Sequence, residues 1–419
     1  MSGASDPATS SAAAPAAAGS RPLHERAALS RLLAPASVAL VGASPNPKSL
    51  GGRTLANLAH FPGRLYPVNA KYPDLNGTPC YPSVSSLPEA PDCVVLAVPK
   101  EAIGPVLDEC AARGAGAAVV LASGYAETEV PENGAAQAHM AALAARHGMR
   151  VVGPNCVGVA NRVTGLHAAF AEFSPSELIP GNRVGLVSQS GALGLGLSHA
   201  AERGASITHV LTCGNSADVD VADYLAWLAE DDACDAIALA FEGVASAARL
   251  EEAARRVRAA GKRIAVCKLA TSPTGQAATR FHTNTQVGEP AAWDALFARA
   301  GMLRITRIES LMETASFLAK TRGRRIAPGA AVISGSGGTA ILAIDAAARH
   351  GVATPQPAPA TAARLAAAIP AFGSPRNPCD ATAEATRNPD SLFACADAML
   401  SDPAYGALVI PGAGPNRQR

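Results

Sequence analysis

Aromatic residues are scarce in this chain of 419 residues: Phe, Trp and Tyr together make up 4%. Charge is sparse as well and nearly balanced, with 35 basic against 34 acidic residues and a net charge of +1. No basic block and no interleaving of basic and aromatic residues occurs, which argues against a nucleic-acid surface. No apolar run reaches the ~18 residues a membrane span requires. The nine cysteines include no C-x-x-C pair, and their number is odd. In a chain of this size that pattern fits reduced thiols in a cytoplasm better than a disulfide framework. No metal-ligand set is apparent. The segment Met1 to Ser20 is rich in Ala, Ser and Pro but has neither a basic residue nor an apolar centre. A secretory signal needs both, so residues 1–21 are expected to form a disordered tail.

What is abundant is small and apolar. Apolar residues make up 48% of the chain, with 38 glycines, a mix that suits helices lying close against a sheet. From Val38 onward, short apolar runs alternate with Ala-rich stretches of helical period. Val38–Val41, Cys93–Val98, Ala118–Ala122 and Val151–Val152 are almost continuously apolar, as parallel strands covered on both faces must be. Helices are expected at Glu101–Arg113 and Glu132–His147. This alternation predicts a doubly wound parallel sheet over residues 22–175. After a polar link at Pro175–Gly181 the rhythm restarts. Strands are expected at Arg183–Val187, Ile207–Thr212, Ala236–Phe241 and Arg263–Lys268, with helices at Gly191–Arg203, Val221–Ala229 and Leu250–Ala260. That second α/β unit is taken as residues 176–322. A third, residues 323–419, shows strands Ala331–Ile333 and Ala407–Ile410 with three helices between them. A sheet ending there leaves an unpaired edge, so this unit is expected to be completed by a partner or a second copy, or to be cut short.

Ligands of open α/β sheets sit at the carboxyl ends of the strands, and four stretches there carry chemistry. The loop Gly42-Ala-Ser-Pro-Asn-Pro-Lys-Ser-Leu-Gly-Gly52 follows the first strand. Its glycines allow close approach of a phosphate, the next helix start favours an anion, and Lys48 adds charge. The alternative is a plain tight turn. The spacing is not G-x-G-x-x-G, and the next strand ends in Asn69 and Lys71 rather than a ribose-binding acid, so a nicotinamide cofactor is disfavoured. Ser188-Gln189-Ser190-Gly191 offers hydroxyls and N–H groups to an anion, but also reads as an ordinary N-cap, and it is not the G-x-S-x-G of a hydrolase. Ser334-Gly335-Ser336-Gly337-Gly338-Thr339 resembles a phosphate-cradling loop without the Walker lysine. The polar stretch from Ala270 to Glu289, read as a long loop, carries His282; a lone loop histidine can be merely solvated. Glu242 closes an apolar strand, where an acid needs a partner.

Together these residues resemble the nucleoside-diphosphate-forming acyl-CoA synthetases, the superfamily of succinyl-CoA synthetase, and within it the alpha-type ADP-forming ligases. The resemblance runs from about Leu33 to Pro411. It is carried by Ser37-Val-Ala-Leu-Val-Gly-Ala-Ser44 with Gly51-Gly52, Tyr66-Pro-Val-Asn-Ala-Lys71, Gly153-Pro-Asn-Cys156, Ser188-Gln-Ser-Gly-Ala192, Gly214-Asn-Ser-Ala-Asp218, Phe241-Glu-Gly243, His282-Thr283 and Asn377-Pro-Cys-Asp380. It implies a Rossmann-like CoA-binding domain followed by two flavodoxin-like, succinyl-CoA-synthetase-type domains, the last of them short. It further implies CoA binding by Gly42, Ser44, Asn46, Lys48, Gly51, Pro67, Asn69, Lys71, Pro99 and Asn155. His282 would carry a phosphoryl group, with Glu242 accepting its other ring N–H. Ser188, Gln189, Ser190 and Gly191 would hold the phosphate from one side, and Gly335, Ser336, Gly337 and Gly338 from the other. A carboxylic acid and CoA are the implied substrates. ATP and Mg would be handled by an ATP-grasp subunit on another chain, because no such region is visible here. The family usually has Ser-His-Thr-Gly around the carrier, whereas this chain has Phe281-His-Thr-Asn284, a stiffer loop with one hydroxyl fewer. A CoA-binding regulatory homologue without turnover is therefore the alternative.

Overall fold

The computed structural model describes residues 21–411 except 76, 129, 281–287 and 384–386. His282 thus lies outside the described residues. The chain forms two compact units, Met1–Arg322 and Gly323–Arg419.

The first unit holds two large sheets. The first is five-stranded, in the order Arg64–Val68, Ser37–Val41, Cys93–Leu96, Ala117–Val120, Arg150–Val152. All its pairings are parallel. Every residue of the three central strands is buried, which is why these runs lack polar alternation. The second sheet has seven strands. Its order is Leu303–Arg304, Arg263–Lys268, Ala236–Phe241, Arg183–Ser188, Ser206–Thr212, Gly158–Asn161, Leu166–Ala169. The first five are parallel; the last two form a hairpin that pairs antiparallel with Ser206–Thr212. That hairpin falls inside the stretch 22–175 but extends the second sheet. One apolar core accordingly runs from Leu33 and Val119 to Leu211 and Phe241.

Helices begin where local chemistry satisfies their first N–H groups. Asp220 and Asp223 form a capping box at Val221–Ala229, and Ser246 caps Ala247–Ala259. The helix start at Asp220 is also locked ionically. Arg249 reaches Asp223 at 2.8 Å and also pairs with Asp220, while Arg21 reaches Asp223 at 2.6 Å. His24 meets Asp218 at 2.9 Å. These contacts anchor residues 21–26 to the second sheet's helix layer.

The second unit contains a four-stranded sheet in the order Ser374–Pro375, Cys379–Asp380, Gly329–Ser334, Tyr405–Val409. The first two strands, two residues each with prolines at 375 and 378, are too short and too proline-rich to read from sequence. Helices Pro359–Ala368 and Pro389–Leu400 pack on a core of Ile333, Leu365, Cys379, Cys395 and Met399. All nine cysteines are free and buried. Among the described residues no helix is long and apolar enough to cross a membrane.

Candidate functional site

The first strand runs into Gly42, which has φ +88° and donates its N–H to Val68 at 2.9 Å. A Cβ there would lie 2.4 Å from the Ala97 carbonyl oxygen, and one on Gly51 would lie 1.8 Å from that of Gly42. The helix Leu50–Asn57 therefore starts directly over the strand end, and only glycine permits that approach. Ser49 caps it, accepting from Gly52 N at 3.0 Å. Within the loop, Ser44 Oγ accepts from Asn46 N at 3.1 Å, and Asn46 Oδ1 accepts from Lys48 N at 3.0 Å. Asn69 ties the neighbouring strand end to this loop: its Nδ2 donates to Ala43 O at 2.8 Å, and its Oδ1 accepts from Lys71 N at 3.0 Å.

The two sheets meet at their carboxyl ends. Asn155, at φ +57°, follows a cis Gly153–Pro154 bond and donates from Nδ2 to Asn215 Oδ1 at 3.3 Å. Asn215 N donates to Pro154 O at 3.0 Å and Ala217 N to Gly153 O at 2.9 Å. Asn215 Nδ2 in turn donates to Glu127 at 2.5 Å and Gln137 at 3.0 Å. The Gly153–Cys156 and Gly214–Asp218 stretches are therefore joined backbone to backbone.

A cavity of about 740 Å³ opens across this junction. Gly42, Ser44, Gly51, Pro99 and Asn155 line one side, and Gln189, Ser190 and Gly191 the other. Residues named from two separate loops thus share one space. Asn46, Lys48, Pro67, Asn69, Lys71, Ser188 and Glu242 are not on its wall. Lys48 and Lys71 are exposed. Pro67 is buried inside its strand, paired with Leu40. Ser188 is fully buried and donates to Ser190 O at 2.6 Å, shaping the turn from within. Ser190 Oγ accepts from Leu193 N at 3.4 Å, so it is an N-cap at the cavity wall. Gln189 is nearly buried; its side chain serves the protein itself, accepting from Glu242 N at 2.8 Å and Gly243 N at 3.1 Å.

Lys100 stands on the wall too, although nothing in the sequence separates it from other helix-start lysines. Its ammonium donates to Asn133 and lies 5.3 Å from the Tyr125 ring centre. Phe170 and Val157 add apolar wall. Cys156 lines the cavity, but burial pushes its thiol up to about 12, so it is not poised as a nucleophile.

The stretch Ala270 to Glu289 is not one loop. Its first part forms the helix Pro273–Arg280. Ser272 Oγ accepts from Gly275 N at 3.1 Å, Pro273 sits in the first turn, and the helix formers Gln276, Ala277 and Ala278 follow. In the second unit, the helix Gly337–Arg349 starts with Ser336 as its N-cap residue, and Gly335 precedes it. Ser334 Oγ holds the turn, accepting from Ser336 N at 3.0 Å and lying 2.7 Å from Thr339 Oγ1. Asn377 explains its own motif: it accepts from Val332 N and donates to Ala330 O and Pro355 O, each at 2.9 Å.

Residues 36–162 match the family described as the CoA binding domain, and residues 180–318 that of the succinyl-CoA ligase like flavodoxin domain. An ADP-forming acetate–CoA ligase I of Archaeoglobus fulgidus is 33% identical over 85% of this chain and 51% of that protein. The chain therefore spans about half the length of that relative. The alpha subunit of ADP-forming acetate–CoA ligase II of Pyrococcus furiosus is 30% identical over 90% of this chain and 80% of that subunit. A solved structure of the dinucleotide forming acetyl-coenzyme A synthetase 1 of Ca. Korarchaeum cryptofilum, in complex with phosphate and ADP, superposes with a TM-score of 0.78. It is 30% identical and covers 91% of this chain and 81% of that one. With its Rossmann-like CoA-binding sheet and flavodoxin-like ligase sheet joined at their carboxyl ends, the chain belongs to the family of ADP-forming acyl-CoA ligases.

Proposed function

We propose that this chain is the CoA-binding, phosphoryl-relay part of an acid–thiol ligase, one that makes an acyl-CoA while a nucleoside triphosphate becomes the diphosphate and phosphate. The observation that carries the reading is the shared cavity: the Gly42–Gly51 loop and the Gln189–Gly191 helix start open into the same 740 Å³. The first has the close backbone approach a diphosphate needs, and Lys100 supplies a cation. The second presents N–H groups where a phosphoryl group would sit. Between them the CoA thiol would reach an acyl phosphate.

In this reading His282 receives a phosphoryl group from an ATP-grasp module outside these 419 residues, on another chain as the alpha-subunit relative suggests. ATP and Mg belong to that module. A carboxylate oxygen of the acid then attacks phosphorus, and the His282–phosphorus bond breaks. The CoA thiol, losing its proton, attacks the acyl carbon, and inorganic phosphate leaves. Glu242 would fix the imidazole tautomer and offset charge on the ring. Gly335, Ser336, Gly337 and Gly338 remain candidates for a second phosphate loop, and the outer residues Asn46, Lys48, Pro67, Asn69 and Lys71 for support of the CoA loop. The cytoplasm is the proposed location.

The test uses the reverse direction, which needs no nucleotide. Acyl-CoA and radiolabelled inorganic phosphate should give acyl phosphate and then phosphohistidine, a label that is acid-labile and base-stable. His282→Ala should abolish it. Glu242→Gln should slow it about tenfold to a thousandfold, as loss of one electrostatic support costs roughly 1.4–4 kcal/mol. Phe281 and Asn284, in place of the family's Ser and Gly, favour a second reading, a CoA-binding regulatory homologue. CoA binding without label from short-chain, branched and aromatic acyl-CoAs would establish that reading instead.

A further inference from the structure

A buried lysine stands beside the acid on which this reading depends. Lys268 ends the strand Arg263–Lys268 and is 7% exposed. Its Nζ donates to the carbonyl oxygens of Glu242 at 2.6 Å and Leu269 at 2.5 Å. It also stands 5.6 Å from the Phe241 ring centre and 5.7 Å from that of Trp293. Burial pushes the ammonium down to about 8, and the charge of Glu242 works against that fall. A cation is an expensive way to fill a strand end when an apolar side chain would pack on the same rings.

The geometry around Glu242 gives the cation a use. On the amino side of its Cα, the N–H is held by Gln189 Oε1 at 2.8 Å, and Gln189 lines the cavity. On the carboxyl side, the carbonyl is held by Lys268 from the opposite neighbouring strand. Gly243 N, the next donor, is held by Gln189 as well. With both peptide groups flanking the Cα pinned, φ and ψ of Glu242 are fixed, and so is the direction of its Cα–Cβ bond.

We propose that Lys268 is a positioning residue for Glu242: it sets the direction in which the carboxylate leaves the strand end and holds a positive charge behind it. This rests on Glu242 supporting the phosphoryl relay. Gln189 then acts as the matching clamp from the cavity side, and the catalytic acid is held between two neighbouring strands, independently of the loop that follows.

The experiment compares full-length wild type, Lys268→Met, Lys268→Arg, Glu242→Gln and the double variant Glu242→Gln/Lys268→Met. It measures the initial rate of phosphoryl labelling from acyl-CoA and inorganic phosphate, and CoA affinity by calorimetry. Lys268→Met should slow labelling by about tenfold to a hundredfold while CoA affinity stays within about twofold, since Lys268 acts through Glu242 and is not on the cavity wall. Lys268→Arg should recover part of the rate. The double variant should be no slower than Glu242→Gln alone, because two residues acting through one group are not additive. Multiplied effects, or an unchanged rate in Lys268→Met, would overturn the proposal. If Lys268→Met does not fold, the same comparison is read on Lys268→Arg with and without Glu242→Gln. A wild-type chain that takes no label overturns the relay reading itself, a separate result.

Discussion

Replacing Gln189 by Leu separates what this residue does for the fold from what the sequence motif suggests. Its Oε1 is the acceptor for two N–H groups, Glu242 at 2.8 Å and Gly243 at 3.1 Å, and both bonds are buried. Its own peptide groups are engaged with Ala240 and Gly214. Leu has nearly the same shape, so the packing loss is small, but two buried donors lose their only acceptor from this residue. Each such orphan costs about 1–3 kcal/mol, so the variant should lose roughly 2–6 kcal/mol. For a unit of this size that corresponds to a fall in melting temperature of about 4–12 °C, at roughly 2 °C per kcal/mol. Gln189→Glu keeps both acceptor bonds and should lose less than half as much. It also puts a negative charge at the cavity wall, where the proposed phosphoryl group would sit, so labelling should fall at least about tenfold although the protein folds. Differential scanning calorimetry and the labelling assay read the two effects. A Leu variant melting within about 1 °C of wild type would refute the clamp. A Glu variant that labels normally would refute the placing of phosphate beside Gln189.

Two further outcomes follow from charge placement. Lys100→Ala should weaken CoA binding by about tenfold to a hundredfold, as a charge-assisted contact contributes roughly 1.5–3 kcal/mol; Lys48, exposed and off the cavity wall, should cost no more than about threefold on removal. Calorimetry at fixed ionic strength decides, and equal effects would be incompatible with this cavity as the CoA site. His209 should make the first unit acid-sensitive: burial and the charges of Lys262, Arg162 and Arg26 push it down to about 3, and Asp231 Oδ2, 3.4 Å from Nε2, does not offset them. Its folded value lies below the ordinary 6.5, so between the two the unfolded chain binds more protons and stability falls as pH falls. The loss is about 1.4 kcal/mol per pH unit below 6.5, or roughly 2 kcal/mol by pH 5. Denaturant titrations at pH 7 and 5 should show it, and His209→Phe should remove it.

How much of this was legible in the sequence depended on the range of the interactions. Continuous apolar runs such as Val38–Val41 and Ala236–Phe241 identify buried parallel strands because a both-faces-covered strand leaves no room for polar residues. The Gly42 loop was legible because a strand end, a helix start and glycine all fall within a few residues. Partnership across sequence distance was not legible. The segment 158–169 falls inside the stretch 22–175 read as the first domain, yet forms a hairpin that pairs with Ser206–Thr212 of the second sheet. Gln189 looks like a phosphate ligand, and only the fold brings the backbone of Glu242 to its side chain. Lys268 looks like the charged end of a strand. Arg21 and His24 sit at the edge of a tail-like segment, and it takes the folded chain to bring Asp218 and Asp223 to them. The helix Pro273–Arg280 was hidden by Thr and Gly, whose low helix propensity is outweighed by its N-terminal cap.

The topology itself accounts for where the two proposed anion sites lie. In the first sheet the strand Ser37–Val41 lies between Arg64–Val68 and Cys93–Leu96, so the chain leaves it in one direction and returns on the other side. The crevice at that reversal is framed by the loops after Ser37–Val41 and Cys93–Leu96, and both line the cavity through Gly42 and Pro99. The second sheet repeats the device. Arg183–Ser188 lies between Ser206–Thr212 and Ala236–Phe241, and the loops framing its reversal hold Ser190 and Glu242. Reversal points are where open parallel sheets bind ligands. Here two of them are fixed relative to each other by backbone bonds from Asn215 and Ala217 to Pro154 and Gly153, reinforced by the side-chain bonds of Asn155 and Asn215. Under the proposed function, CoA suits such a frame: the pantetheine arm separates its diphosphate from its thiol, so the diphosphate would be held at the first reversal and the thiol would reach the second. The relative placing of the two reversal points is thus a property of the two sheets and their seam.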